Sequence, residues 1–240
     1  MFLQDKYDLP TVKVNKSVIF ATTPRSGSNM LCFSLIQTGV VGVPLEYFNH
    51  VGEMRAFQKR ICETYTVFHY LNALMNRRAT ANGVFSLKLH FHQLATSLQM
   101  NPLHEFLPNC QYVYLHRKDK IRQAISSYIA YQSNQWFSLH PDDKVPEVVY
   151  SHDGIKRHLM EVMKSQNSWA SYFKKYRLRP IVLTYEDMIQ DFTQAVRGLF
   201  TDLGIQCDDE KIPSLPLTRS QSSARNEEWK KRFSTEFKGF

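Results

Sequence analysis

The stretch SVIFATTPRSGSN, Ser17 to Asn29, decides the fold. Its first half is a short apolar run with β-branched residues, the pattern of a strand buried on both faces of a parallel sheet. Its second half is a Gly/Ser-rich turn leading into a helix expected over Asn29 to Thr38, with Leu31, Leu35 and Ile36 at helical spacing and Gly39 as the stop. In a strand–turn–helix of this kind the backbone N–H groups of the turn converge on one spot, and the helix dipole adds positive potential there. Such a turn cradles phosphate. Arg25, Ser26, Ser28 and Asn29 supply side-chain donors as well, and Gly27 permits a positive φ or close backbone approach. The turn is not a Walker A motif, because Gly27 is followed by Ser28 and no lysine is present.

Working outward, Val84–Leu89, Gln111–Leu115 and Pro180–Thr184 read as further buried strands. Helices are expected over most of Glu53–Asn82, with a break near Thr64–Val67, and over Lys118–Ser133. Asp153 is the expected cap of a helix running to about Tyr176. Ile189, Phe192, Val196, Leu199, Phe200 and Leu203 mark one more helix, stopped by Gly204, and Glu227–Phe233 a short last one. Pro141–His152 is polar, holds two prolines and reads as a mobile loop. Strands alternating with helices predict an α/β fold: a P-loop-like parallel sheet flanked by helices, in a single domain over residues 1–240. Ligands bind such sheets outside the carboxyl ends of the strands. The segments after Thr22, Leu89 and Leu115 therefore become neighbours.

Composition narrows the function. The 240 residues are 43% hydrophobic and 22% charged, which excludes a disordered or collagen-like chain. Thirty basic against 22 acidic residues leave a formal charge of +8, suited to an anionic partner. Four scattered cysteines without a CxxC pair exclude a zinc ribbon and predict reduced thiols in a cytoplasmic protein. The N-terminal MFLQDKYDLP lacks the apolar core of a secretory signal, and no run of about 18 apolar residues predicts a membrane segment. The tyrosines fall on apolar stripes and strands, which is core usage and argues against a nucleic-acid stacking platform.

The strand ending at Leu115 runs into His116-Arg117-Lys118-Asp119 and a helix bearing Arg122 and Ser126. Arg117, at a strand's carboxyl end, offers a forked pair of donors for a phosphate monoester. Two phosphate positions on neighbouring strand ends suit a ligand with two separated phosphates, such as a nucleoside 3′,5′-bisphosphate.

Taken together, TxPRSGS at Thr22–Ser28, GVPLEYF at Gly42–Phe48 and RxDKxRQAIS at Arg117–Ser126 resemble the sulfotransferases, specifically the bacterial family typified by mycobacterial trehalose 2-sulfotransferase. The resemblance extends to Leu87–His92 and Gln221–Phe233. It implies 3′-phosphoadenosine-5′-phosphosulfate as donor, no metal, a sugar or glycolipid acceptor (a trehalose-like sugar among the candidates), and a homodimer. It implies that Arg25, Ser26, Gly27, Ser28 and Asn29 surround the 5′-phosphosulfate and that Arg117 and Ser126 hold the 3′-phosphate. The corresponding pair in many sulfotransferases is one residue closer, which leaves Lys118 as a rival to Arg117. It implies Glu46 as general base and a basic C-terminal segment, 214–240, closing over the donor, with Arg219 and Arg225 as basic candidates. That segment reads Gln221-Ser222-Ser223 where relatives carry Gln-Ala-Asp.

Sulfuryl transfer asks the protein to position groups and stabilise spreading charge, by analogy with phosphoryl transfer. Arg25 is expected to neutralise the leaving phosphate. Glu46, between Val43-Pro44-Leu45 and Tyr47-Phe48, is expected to have its pKa raised by partial burial, with Arg25 opposing the shift. His90, His92 and His50 are alternative bases. His90 and His92 would share a face if the strand continued, and His90 and Lys88 are expected at the acceptor site. A small-molecule kinase of P-loop type or a metal-independent nucleotide-binding protein is the competing reading. The first would need a lysine in the turn and magnesium ligands, and neither is apparent.

Overall fold

The computed structural model describes residues 2–49, 51–63, 66–100, 102–136, 147–218 and 224–237. Its elements in chain order are β1 (Lys16–Thr22), α1 (Ser28–Thr38), α2 (Gly52–Ile61), α3 (Val67–Arg78), β2 (Val84–His90), α4 (Phe91–Thr96), β3 (Cys110–His116), α5 (Lys120–Ser133), α6 (His152–Lys175), β4 (Ile181–Thr184), α7 (Tyr185–Gln190), α8 (Phe192–Leu203) and α9 (Ala224–Glu236). The strands form one sheet in the order β2-β1-β3-β4, with every pairing parallel. The expected α/β fold is what the structure has.

Alternation along the strands builds two cores, because successive side chains leave a strand on opposite faces. Ile19, Ala21, Leu87, Leu89 and Tyr112 pack on one face with α3, α4 and the end of α6. Val18, Phe20, Val113 and Leu115 pack on the other with α1 and α8. A third, smaller cluster joins α5, α6 and α9 through Ala124, Ile125, Ile155, Leu159, Trp229 and Phe233. The register pairs Thr22 with both His90 and Leu115, and His116 with Thr184. The carboxyl ends of all four strands are therefore level.

Several expectations need correction. The helix expected through Ile189 to Leu203 is two helices. Asp191, with φ −149° and ψ 94°, breaks it, and its side chain accepts from Gln194 N at 2.9 Å to start α8. The cap of α6 is Ser151, whose hydroxyl accepts from Gly154 N at 3.0 Å; Asp153 lies inside the first turn. The chain turns helical at Phe91, so His90 and His92 do not lie on one continued strand. His152 opens α6, and residues 141–146 of the expected loop lie outside the described residues.

The segment GVPLEYF lies along the outer edge of β2. Lys88 N donates to Leu45 O at 3.0 Å, Val43 N donates to Arg78 O at 3.2 Å, and the Ser86 hydroxyl donates to Val41 O. Gly42 makes this close approach possible. Its φ is +73°, and a Cβ there would stand 2.9 Å from Arg78 O and from Ser86 N. The result sets Glu46 beside the carboxyl end of β2.

Candidate active site

A cavity of about 840 Å³ opens at the carboxyl ends of the strands. Arg25, Gly27, Ser28, Asn29, Glu46, Lys88, His90, Arg117 and Ser126 all line it. Residues scattered between positions 25 and 126 thus meet at one place, as the strand-end rule requires.

The turn after β1 is pinned from two sides. Gln123 Nε2 on α5 donates to Thr23 Oγ1 and to Pro24 O, both at 2.7 Å, and Trp169 Nε1 on α6 donates to Thr22 O at 2.9 Å. Gly27 has φ +87°, and a Cβ there would come within 2.7 Å of the Tyr185 ring. Arg25 is also left-handed, at φ 63°, which is uncommon outside glycine and marks stored backbone strain. Its Nε donates to Ser126 Oγ at 2.9 Å, and its Nη1 donates to Trp136 O. Ser26 is buried, and its hydroxyl has no hydrogen-bond partner among the described residues.

Arg117 follows β3 directly and lays its guanidinium over the Tyr185 ring, 4.4 Å from the centroid. Glu186 stands 3.8 Å from its Nε. Burial pulls the Arg117 pKa down, against the pull of Tyr185, Glu186 and Asp119. Burial and then the Arg117 charge push Arg25 down to about 10, so both guanidinium groups stay cationic at neutral pH but at a cost. Lys118 is elsewhere. Its ammonium is 58% exposed and pairs with Asp187 at 2.9 Å, outside the cavity lining. Ser126, expected to hold the 3′-phosphate together with Arg117, lines the same cavity and accepts from Arg25.

Glu46 is held by three donors. Lys88 Nζ lies 2.8 Å and His90 Nε2 3.3 Å from Oε1, while Gln93 Nε2 donates to Oε2 at 3.1 Å. Burial pushes its pKa up, but the Lys88 and His90 charges and hydrogen bonds outweigh it and hold the carboxyl well below 4.5. The expected rise towards neutrality is therefore corrected. The cause is Lys88 on the neighbouring strand, a partner that lies remote in sequence. Lys88 is itself buried and also donates to Asn29 Oδ1 at the start of α1. His90 Nδ1 lies 2.8 Å from Thr22 Oγ1. One network thus runs from the β1 turn through Lys88 to Glu46 and His90. His50 lies outside the described residues.

The family model described as Stf0 sulphotransferase matches residues 17–236. The chain belongs to that family. Trehalose 2-sulfotransferase from Mycobacterium tuberculosis (strain ATCC 35801 / TMC 107 / Erdman) is 26% identical, over 89% of this chain and 92% of the relative. The enzyme of the same name from Mycolicibacterium smegmatis (strain ATCC 700084 / mc(2)155) is 24% identical, over 87% and 91%. Among solved structures, mouse sulfotransferase SULT7A1 complexed with PAP aligns at 17% identity and a TM-score of 0.47, over 88% of this chain; the chain spans 65% of that protein's length.

In this Stf0 sulphotransferase several residues in the cavity or bonded to its lining were not singled out by the sequence. Tyr185 follows β4, and the strand-end rule applied to all four strands would have found it. Gln93 sits at the third position of α4, where its Oε1 accepts from His90 N at 2.9 Å. A glutamine three residues after a strand end was the available signal. Asn226 and Thr218, from the basic C-terminal part, also line the cavity, and Arg122 joins α9 to it through Glu227 at 2.5 Å. Of the tail candidates, Arg225 lies on α9, whereas Arg219 and Gln221–Ser223 lie outside the described residues. Among the described residues no group of three or more His, Cys, Asp or Glu could hold a metal ion, and no helix is long and apolar enough to cross a membrane.

Proposed function

We propose that the chain transfers a sulfuryl group from 3′-phosphoadenosine-5′-phosphosulfate to a hydroxyl of a carbohydrate. One observation carries the reading: two desolvated arginines, Arg25 and Arg117, line one cavity together with the Glu46 carboxylate, and the Arg117 charge adds to burial in lowering the Arg25 pKa. Two buried like charges gain most from an anion between them, and an adjacent carboxylate suits an acceptor hydroxyl. The two mycobacterial relatives, named as trehalose 2-sulfotransferases, favour a sugar over other hydroxyl compounds.

In this mechanism Arg25 and the amides of the 23–28 turn hold the 5′-phosphosulfate, with Ser26 and Ser28 as further donors. Arg117 holds the 3′-phosphate. Ser126, whose hydroxyl accepts from Arg25, stands between the two arginines and is shared by both phosphate groups. The acceptor oxygen forms a bond to sulfur as the bond from sulfur to the 5′-phosphate oxygen breaks. The hydroxyl proton passes to Glu46, and adenosine 3′,5′-bisphosphate leaves with its charge met by Arg25. Lys88 and His90 orient Glu46, and His90 reaches the acceptor. No step calls on a metal. A homodimer in the cytoplasm completes the proposal, as the resemblance implies, and light scattering on the purified protein checks the dimer.

Calorimetry tests the donor assignment. Adenosine 3′,5′-bisphosphate is expected to bind more tightly than ADP, with or without a chelator, and equal affinities would overturn it. Transfer of radiolabelled sulfate to trehalose and simpler sugars tests the acceptor class.

A further inference from the structure

The chain has three tryptophans, and two of them are spent on the core. Trp169 is fully buried and meets the rings of Phe91, Tyr172 and Phe173, while the buried Trp229 meets Tyr128 and Tyr150. Trp136 differs from both. It lines the cavity, keeps 43% of its surface exposed, and its ring has no aromatic or hydrogen-bonding partner among the described residues. An indole has a large flat apolar face, and one left half open in a ligand cavity is area that a ligand can cover.

Local structure puts Trp136 there. α5 ends where Asn134 turns left-handed, at φ 55° and ψ 21°, and Gln135 N donates to Ser133 Oγ at 3.3 Å. The reversal carries Trp136 back against the turn after β1, where its carbonyl accepts from Arg25 Nη1. The end of α5 is itself fastened, since the Gln132 side chain exchanges two hydrogen bonds with the backbone of Val149, both at 3.0 Å. Order along α5 then arranges one wall of the cavity. Arg122 belongs to the first turn of the helix, Ser126 to its middle, and Asn134 and Trp136 follow its end; all four line the cavity. Along this wall Arg122, next to Arg117, lies at one end and Trp136 at the other, with Arg25 and Ser126 between them.

Resting on the sulfuryl-transfer reading above, we propose that Trp136 is a specificity-determining residue for the acceptor. Its indole is the platform on which the acceptor's ring lies, and it separates cyclic from open-chain hydroxyl compounds. A pyranose carries its hydroxyls around the edge and C–H groups on its faces. Laid on an indole, such a face removes apolar area from water, and the negative face of the indole attracts the polarised C–H groups. The edge hydroxyls keep polar partners in the same lining, Asn134 among them. An open-chain polyol has the same hydroxyls but no rigid C–H face to offer.

Tryptophan fluorescence tests this, with acrylamide as quencher and the chain saturated with adenosine 3′,5′-bisphosphate. Because Trp169 and Trp229 are buried, the readily quenched emission is expected to come from Trp136 and to vanish in Trp136→Phe. Trehalose, and glucose at higher concentration, should shield it, whereas sorbitol should not. In calorimetry Trp136→Ala should weaken trehalose binding at least about tenfold, from the lost area and ring contact, and Trp136→Phe should keep most of it. Bisphosphate affinity should hold in both variants, which also shows that they fold. The proposal is overturned if neither sugar shields the indole, if sorbitol shields it equally, or if Trp136→Ala binds trehalose as the wild type does. Shielding already present in the free chain would mean that protein covers the ring, and full shielding by bisphosphate alone would place the nucleobase there; either result overturns it too. A chain that binds no bisphosphate defeats the donor assignment instead, and the same sugar titrations without bisphosphate still decide the platform.

Discussion

Glu46 sits between opposing influences, and their sum decides how it works. Burial alone would raise its pKa, but Lys88 and His90 hold it ionised well below 4.5. It enters the reaction already as a carboxylate at any physiological pH. Its low pKa makes it a weak base in the site as it stands, with Lys88 bound to it. Glu46→Gln, nearly isosteric, is expected to keep bisphosphate affinity and lower kcat by about 10²–10⁴, the usual worth of a general base. The acid limb of the wild-type kcat/KM profile should lie below pH 4.5. Lys88→Met, which removes the largest lowering influence, should move that limb upward. The linkage sign agrees: a depressed carboxyl contributes stability above its unfolded pKa and loses it as pH falls through the folded one. Glu46→Gln with near-normal turnover at saturating acceptor would pass the role to His90. At the other end of the cavity, Arg117→Ala should weaken adenosine 3′,5′-bisphosphate by about 1.5–3 kcal/mol, as for hydrogen bonds to a charged group, and leave AMP almost unchanged. Lys118→Ala should do neither, because that ammonium is turned outward to Asp187. Calorimetry with both nucleotides separates the two. The neighbourhood of Glu46 in sequence, apolar and aromatic, pointed to a raised pKa. The cation that reverses it comes from β2, and a local reading could not see it.

The turn after β1 works as a unit because three other elements fasten it: α5 through Gln123, α6 through Trp169 and α7 through the ring of Tyr185. Gly27 is the point where this fastening leaves no room. Gly27→Ala would put a Cβ 2.7 Å from the Tyr185 ring at a φ that side chains rarely adopt. Tyr185 also carries the Arg117 guanidinium, so the displaced ring disturbs both Arg117 and the turn after β1. The variant should be destabilised by at least about 1 kcal/mol, from backbone strain at an incompatible φ. It should also lose bisphosphate affinity more than tenfold; denaturant unfolding and calorimetry read the two effects separately, and wild-type binding by a folded Gly27→Ala would sink the cradle assignment. The strands were legible as short apolar runs with β-branched residues, and the helices α1, α3 and α5 from apolar residues at the 3.6-residue period that local geometry sets. The split between α7 and α8 was not. Apolar spacing runs straight through Asp191, and only the need to turn the chain from the end of β4 onto the back of the sheet breaks it there.

Segments far apart in sequence meet at the cavity. Phe2 and Leu3 enter from the N-terminal side and Asn226 from α9. α9 is held to α5 by Lys230–Asp119 at 2.6 Å and Arg122–Glu227, and by Trp229 and Phe233 in the third apolar cluster. Most of that attachment is apolar, since exposed ion pairs contribute little. Trp229→Ala is therefore expected to cost about 3–5 kcal/mol locally, the range for a buried aromatic. It should expose α9 to limited proteolysis and weaken bisphosphate binding, while added salt alone should do much less. Unchanged binding with α9 cleaved would mean that the helix does not close on the donor. By itself the sequence determined the parallel α/β sheet, the Gly/Ser-rich turn after its first strand and the placing of Arg25, Arg117 and Glu46 near one another. Each of these follows from short-range pattern combined with the rule that parallel strands present their carboxyl ends together. Only the tertiary structure decided that Arg117 rather than Lys118 faces the cavity, that Lys88 lowers the Glu46 pKa, and that Arg25 and Ser126 are partners. Those outcomes depend on side-chain direction and on contacts between strands far apart in sequence, where a one-residue difference turns a group from the site to the solvent.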